Sequence, residues 1–203
     1  MDSPYKGKPQ SDWQQITVNL VVNHPLFLEL SAVVLDSWKA IFNSKIGGFY
    51  IGKDIFPEPQ IMGFILHNLI ALFLSKRHKG EYKLGAPHVE KDVHCIAHPD
   101  LSFEIKTSSN PTKIFGNRSY AQPATKNEAK SKDGFMLAVN FEKFTPENHH
   151  PKIKLIRFGY IEHSDWIAQS SSSGQQARLS PDTYRMKFVK IYPLETKIPS
   201  EQE

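Results

Sequence analysis

This chain of 203 residues has one cysteine, Cys95, so no disulfide can form within it and no cysteine-rich zinc site can be assembled. Its most hydrophobic run, Leu69–Leu74, is far below the roughly 18–20 apolar residues that a membrane-spanning helix needs. There is no internal repeat, and the polar start MDSPYKGKPQSDWQQ lacks the apolar stretch of a secretory signal. Charge of neither sign dominates: 25 Lys and Arg face 21 Asp and Glu, a formal net charge of +4. That balance permits a nucleic-acid partner without requiring one. These features predict one domain over residues 1–203, without membrane segments, suited to a reducing cytoplasm. Residues 1–15 and 195–203 read as loose ends.

The remaining sequence predicts an α/β fold. Apolar residues recur at helical spacing from Leu26 to about Phe42 (Phe27, Leu30, Val34, Trp38, Ile41), and Gly47-Gly48 ends that helix. A second helix, about Gln60–Arg77, follows Pro57 and Pro59, with an apparent apolar stripe through Ile61, Phe64, Ile65, Leu69, Leu72 and Phe73. His67 and Asn68 interrupt the stripe and read as surface or interface residues. Strands are expected at Glu81–Leu84, Phe135–Phe141, Lys154–Ile161 and Tyr184–Tyr192.

The most informative stretch is KDVHCIAHPDLSFEIKTS, residues 91–108. Val93, Cys95 and Ala97 alternate with Asp92, His94 and His98, and Phe103 and Ile105 alternate with Glu104, Lys106 and Ser108. His98-Pro99-Asp100 is turn chemistry. A hairpin closed there puts Asp92 opposite Lys106 and His94 opposite Glu104, with Val93, Cys95, Ala97, Phe103 and Ile105 on one face and Ile96 left on the other. The other face gathers Asp92, Glu104 and Lys106. Two converging carboxylates suit a hard divalent cation such as Mg²⁺, and a neighbouring Lys can hold a phosphate and orient an attacking water. Asp100 competes with Asp92 for the first carboxylate. Along an extended strand, however, it lies roughly 13 Å from Glu104, whereas residues opposed across a hairpin lie about 5 Å apart. The choice is therefore Asp92. Glu29 reads as part of a solvated helix face, and Glu90 as a capping or solvated residue.

Glu104-Ile105-Lys106 with an Asp on the preceding strand resembles the PD-(D/E)xK nuclease superfamily, with Lys91 where that pattern carries Pro. SFEIKTSSN followed by IFGNRSYAQP is similar to type II restriction endonucleases, the ScaI-like group in particular. The resemblance implies a restriction-endonuclease-like fold: a mixed central sheet with a catalytic β-hairpin, flanked by helices. It further implies sequence-specific hydrolysis of double-stranded DNA, with Asp92, Glu104 and the Ile105 carbonyl holding Mg²⁺ and Lys106 acting on the water. A homodimer and a palindromic target also follow from it. Two polar stretches then become candidates for DNA contact, because Arg suits guanine and Asn or Gln suits adenine. The first supplies Asn110, Lys113, Asn117, Arg118, Ser119, Tyr120 and Gln122. The second, otherwise a Ser/Gly linker, supplies Gln175, Gln176 and Arg178. Two alternatives stay open: a structure-specific repair or recombination nuclease of the same superfamily, and a DNA-binding module without catalysis.

Overall fold

The computed structural model describes residues 3–122, 131–171 and 173–194. Helices α1 (Trp13–Val22) and α2 (Leu30–Phe42) are followed by two short strands, β1 (Lys45–Ile46) and β2 (Phe49–Tyr50), and by helix α3 (Pro59–Arg77). Strands β3 (Tyr82–Leu84), β4 (Val93–Cys95), β5 (Phe103–Ser108), β6 (Phe115–Asn117), β7 (Gly134–Phe141) and β8 (Ile153–Ile161) come next. The last described elements are β9 (Trp166–Ala168), β10 (Gln176–Leu179), α4 (Pro181–Met186) and β11 (Phe188–Tyr192).

Six strands form a mixed sheet in the order β11-β8-β7-β5-β4-β3, in which β5 and β7 run parallel and the other pairs antiparallel. Alternation along β5 divides its side chains between two faces. Phe103 and Ile105 join Phe135, Leu137, Val139 and Phe158 in a core shared with residues of α1, α2 and α3. Glu104 and Lys106 point to the other face, in register with Met136 and Ala138 of β7. A second, smaller sheet covers that face, ordered β6-β10-β9, and its Trp166, Ala177 and Leu179 pack with Met136 and Ala138. The result is three layers: helices, the six-stranded sheet, and the three-stranded sheet. The expected α/β class with a mixed central sheet and flanking helices is thus present. No helix among the described residues is long and apolar enough to cross a membrane.

Several expectations change. Residues 3–15 are not loose: Tyr5 is 3 % exposed, its hydroxyl lies 2.8 Å from the Thr17 hydroxyl, and helix α1 already begins at Trp13. Residues 195–203 lie outside the described residues. The stripe expected for α3 is only half right: Ile65, Leu69 and Phe73 pack against the core, but Ile61, Phe64 and Leu72 are more than half exposed, and the fully buried residues are Met62, Leu66, Ile70 and Leu74. Because α3 is apolar nearly all round, periodicity does not choose its face. Close approach does: a Cβ on Gly63 would meet Thr107 Oγ1 of β5 at 2.6 Å, so only glycine lets the helix settle this near the strand. The last strand starts later than expected because Ser180 caps α4, accepting a hydrogen bond from the Thr183 amide with Pro181 at the first helical position. The Ser/Gly stretch is not a linker either, since it contributes β9 and β10.

Candidate active site

The β4–β5 pairing aligns Val93 with Phe103, which sets Asp92 opposite Glu104 and not opposite Lys106. The expected register is therefore off by two residues. An even shift keeps every side chain on its face, so the grouping of Asp92, Glu104 and Lys106 survives. The turn tightens through a 3-10 segment at Pro99–Leu101.

Asp92 Oδ2 accepts a hydrogen bond of 2.7 Å from the Ile105 amide. In an extended strand a residue's N–H and C=O lie along the same edge, so the Ile105 carbonyl faces this edge too. His67 of α3, one turn beyond Gly63, places Nε2 3.4 Å from the same Asp92 oxygen. Burial pushes the Asp92 carboxyl up, but the His67 imidazole and the Ile105 amide outweigh it and hold the group well below the usual carboxylate range. Glu104 is itself 3 % exposed and accepts a long contact of 3.4 Å from the Tyr120 hydroxyl. Lys106 sits half-buried two residues on, with Nζ 4.4 Å from the centre of the Tyr120 ring. The three residues singled out in the sequence thus sit together, and His67, read there as a surface or interface residue, joins them. Nothing in the sequence ties His67 to Asp92, because their contact depends on how closely α3 approaches β5.

The competing groups are engaged elsewhere. Asp100 is exposed and lines a separate cleft with Glu90, His94 and Tyr160. Glu90 pairs with Lys83 at 2.8 Å and accepts from the Ala86 amide at 2.8 Å. Glu29 binds His78 and Arg77, and Arg77 also reaches Asp36 at 2.6 Å, so α2 and the end of α3 are tied together there. Among the described residues, no group of three or more His, Cys, Asp or Glu side chains is arranged to hold a metal ion. Asp92 and Glu104 bring two carboxylates to the strand edge that the Ile105 carbonyl faces.

The ten candidate DNA contacts separate into distinct roles. Strand β10 pairs with β6 so that Gln176 faces Asn117 and Arg178 faces Phe115. Ala177 and Leu179 are buried beneath, which turns Asn117, Gln176 and Arg178 outward on one surface. Lys113, Ser119, Gln122 and Gln175 are also exposed. Asn110 and Arg118 are half-buried and engaged in hydrogen bonds within the chain. Asn110 Oδ1 accepts from the Thr112 and Lys113 amides at 3.1 and 2.9 Å, closing its own turn. That turn is held from below by Asn140, which donates to the carbonyls of Asn110 and Lys113. The buried Arg157 donates to the Thr112 carbonyl and to Asn140 Oδ1. Arg118 donates to the Ser171 and Gly174 carbonyls, each at 3.1 Å, and so fastens the β9–β10 turn to the residue that follows β6. Tyr120 turns inward towards Glu104 and Lys106.

Residues 3–192 match the family model of the ScaI restriction endonuclease. A relative from Streptomyces caespitosus, the type II restriction enzyme ScaI, is 43 % identical over 196 residues, covering 94 % of this chain and 85 % of the relative. With that match spanning both sheets and the Asp92, Glu104 and Lys106 cluster, the chain belongs to the ScaI restriction endonuclease family.

Proposed function

We propose that this restriction endonuclease hydrolyses double-stranded DNA with Mg²⁺ at a site built from Asp92, Glu104, the Ile105 carbonyl and Lys106. The observation that carries the reading is the strand pairing that sets Asp92 opposite Glu104, with Asp92 Oδ2 held by the Ile105 amide, on a strand that also presents Lys106. The donors fit the ion: a hard cation takes oxygen ligands, and Mg²⁺ keeps several waters with only one or two carboxylates from the protein. Asp92 and Glu104 supply those carboxylates, and their mutual closeness favours a cation over two uncompensated negative charges. When bound, Mg²⁺ supplies charge neutralisation at the phosphate.

The chain's own residues do the rest. Lys106 holds the scissile phosphate and orients a water for in-line attack on phosphorus. As the P–O bond to the leaving oxygen breaks, the ammonium faces the developing negative charge. His67 and the Ile105 amide fix the Asp92 carboxylate from the protein side. Asn117, Gln176 and Arg178 read base edges from the outward face of β6 and β10, with Lys113, Ser119, Gln122 and Gln175 at the sugar-phosphate backbone. Asn110 and Arg118 act in this scheme by shaping the loops. A homodimer with one centre per strand, a palindromic target and a cytoplasmic setting rest on the family alone.

Digestion of a defined plasmid by purified protein, with Mg²⁺ and with EDTA, tests the proposal. Discrete bands that need the metal and vanish in Lys106→Ala support it. A smear, or cutting by Lys106→Ala, overturns it. Sedimentation of the protein with a duplex of the mapped site tests the dimer, and one chain per duplex would contradict it.

A further inference from the structure

We infer that Tyr120 is a positioning residue of the catalytic centre and not a contact to DNA. The inference rests on the reading of Lys106 as catalytic. Tyr120 lies in a run of polar residues, Asn117–Gln122, whose neighbours Asn117, Ser119 and Gln122 are exposed. The 3-10 turn at Arg118–Ala121 folds its ring the opposite way, under the three-stranded sheet.

There the ring touches both ends of the Glu-x-Lys pair. Its face lies 4.4 Å from Lys106 Nζ, and its hydroxyl points at Glu104 Oε2 from 3.4 Å. A lysine side chain has many rotamers, and the negative face of an aromatic ring selects those that keep the ammonium above it. Tyr120 is fixed in turn from behind. The Trp166 ring lies 5.1 Å from it, and Trp166 supports Gly116, where a Cβ would come within 3.0 Å of the indole. Lys106 is therefore placed by a ring that is wedged between the two sheets.

The test compares Tyr120→Leu, Tyr120→Phe and Lys106→Ala on a plasmid fragment carrying one mapped cut site. Single-turnover cleavage is measured with Mg²⁺, and affinity for the same fragment is measured without metal. Tyr120→Leu is expected to cut roughly tenfold more slowly, the rate equivalent of one partly desolvated cation–π contact, with its metal-free affinity unchanged. Tyr120→Phe keeps the ring face and loses only the long 3.4 Å contact to Glu104, so it should cut faster than Tyr120→Leu. Should the leucine variant not fold, Tyr120→Met fills the space without a ring face and repeats the comparison. A leucine or methionine variant that cuts like wild type overturns the inference, as does one whose cleavage falls only in step with its DNA affinity. Full cutting by Lys106→Ala would instead remove the reading on which the inference rests. Loss in Lys106→Ala with no loss in Tyr120→Leu would defeat the inference alone.

Discussion

Gly63 offers a sign change that can be worked out beforehand. In the interior of α3, replacing Gly by Ala should favour the helix by about 1 kcal/mol. At this position the new Cβ would lie 2.6 Å from Thr107 Oγ1, inside any real contact, and overpacking of this kind costs typically about 1–3 kcal/mol. Gly63→Ala alone should therefore destabilise the protein by up to about 2 kcal/mol, the difference between those two effects. The next neighbours of that Cβ are at ordinary distances, Thr107 Cβ at 3.6 Å and a Phe141 ring carbon at 4.0 Å. Removing the hydroxyl with Thr107→Ala should thus relieve the clash and leave the helix gain, so that Gly63→Ala becomes stabilising in that background. Urea unfolding of the four proteins in the cycle gives the coupling, expected at about 1–3 kcal/mol. Cleavage should follow. The single variant pushes α3 away from β5 and lengthens the 3.4 Å contact from His67 to Asp92, and the double variant should recover. Additive free energies, or a single variant more stable than wild type, would refute the packing argument.

Three further outcomes can be checked on purified protein. Lys187 is 2 % exposed and lies 2.6 Å from Glu162 and 2.8 Å from Asp165; Lys187→Ala should cost about 3–5 kcal/mol in urea unfolding, because two carboxylates lose their cation. Burial lowers the His24 pKa from 6.5, only partly offset by its contact with the Leu101 carbonyl, so the folded state keeps this imidazole neutral. Below pH 6.5 the unfolded chain binds the proton more readily, so stability present above that pH is lost as it falls; the decline in urea midpoint should flatten in His24→Asn. Arg178→Ala and Gln176→Ala should each weaken binding to the cognate duplex by about 1–3 kcal/mol while sparing non-cognate duplex, as measured by competition in metal-free buffer.

The legible parts of the molecule are those set by local alternation. Phe103-Glu104-Ile105-Lys106 announces a strand with two dissimilar faces, and the even register shift left that grouping intact. The exact pairing was not legible, because β4 is only Val93–Cys95 and the turn tightens into a 3-10 segment. His67 stayed hidden for a different reason. Helix α3 is apolar on nearly every side, so its buried face was decided by a glycine against Thr107, a contact across the fold. The three-stranded sheet was likewise out of reach, since β6 and β10 pair Asn117 with Gln176, 59 positions further along the chain. Their polar side chains signalled a common chemistry without revealing that they share a surface. Tyr120 shows the limit of that signal, because its residue type fits DNA contact while a single 3-10 turn sends it inward.

In the proposed site Asp92, and not the Asp100 of the Pro-Asp pair, joins Glu104 as the second carboxylate. Plasmid cleavage with Mg²⁺ by Asp92→Ala and Asp100→Ala, side by side, tests it most directly. Loss of all discrete fragments in Asp92→Ala with full cutting by Asp100→Ala is the result expected. Full cutting by Asp92→Ala, with loss in Asp100→Ala, would contradict it.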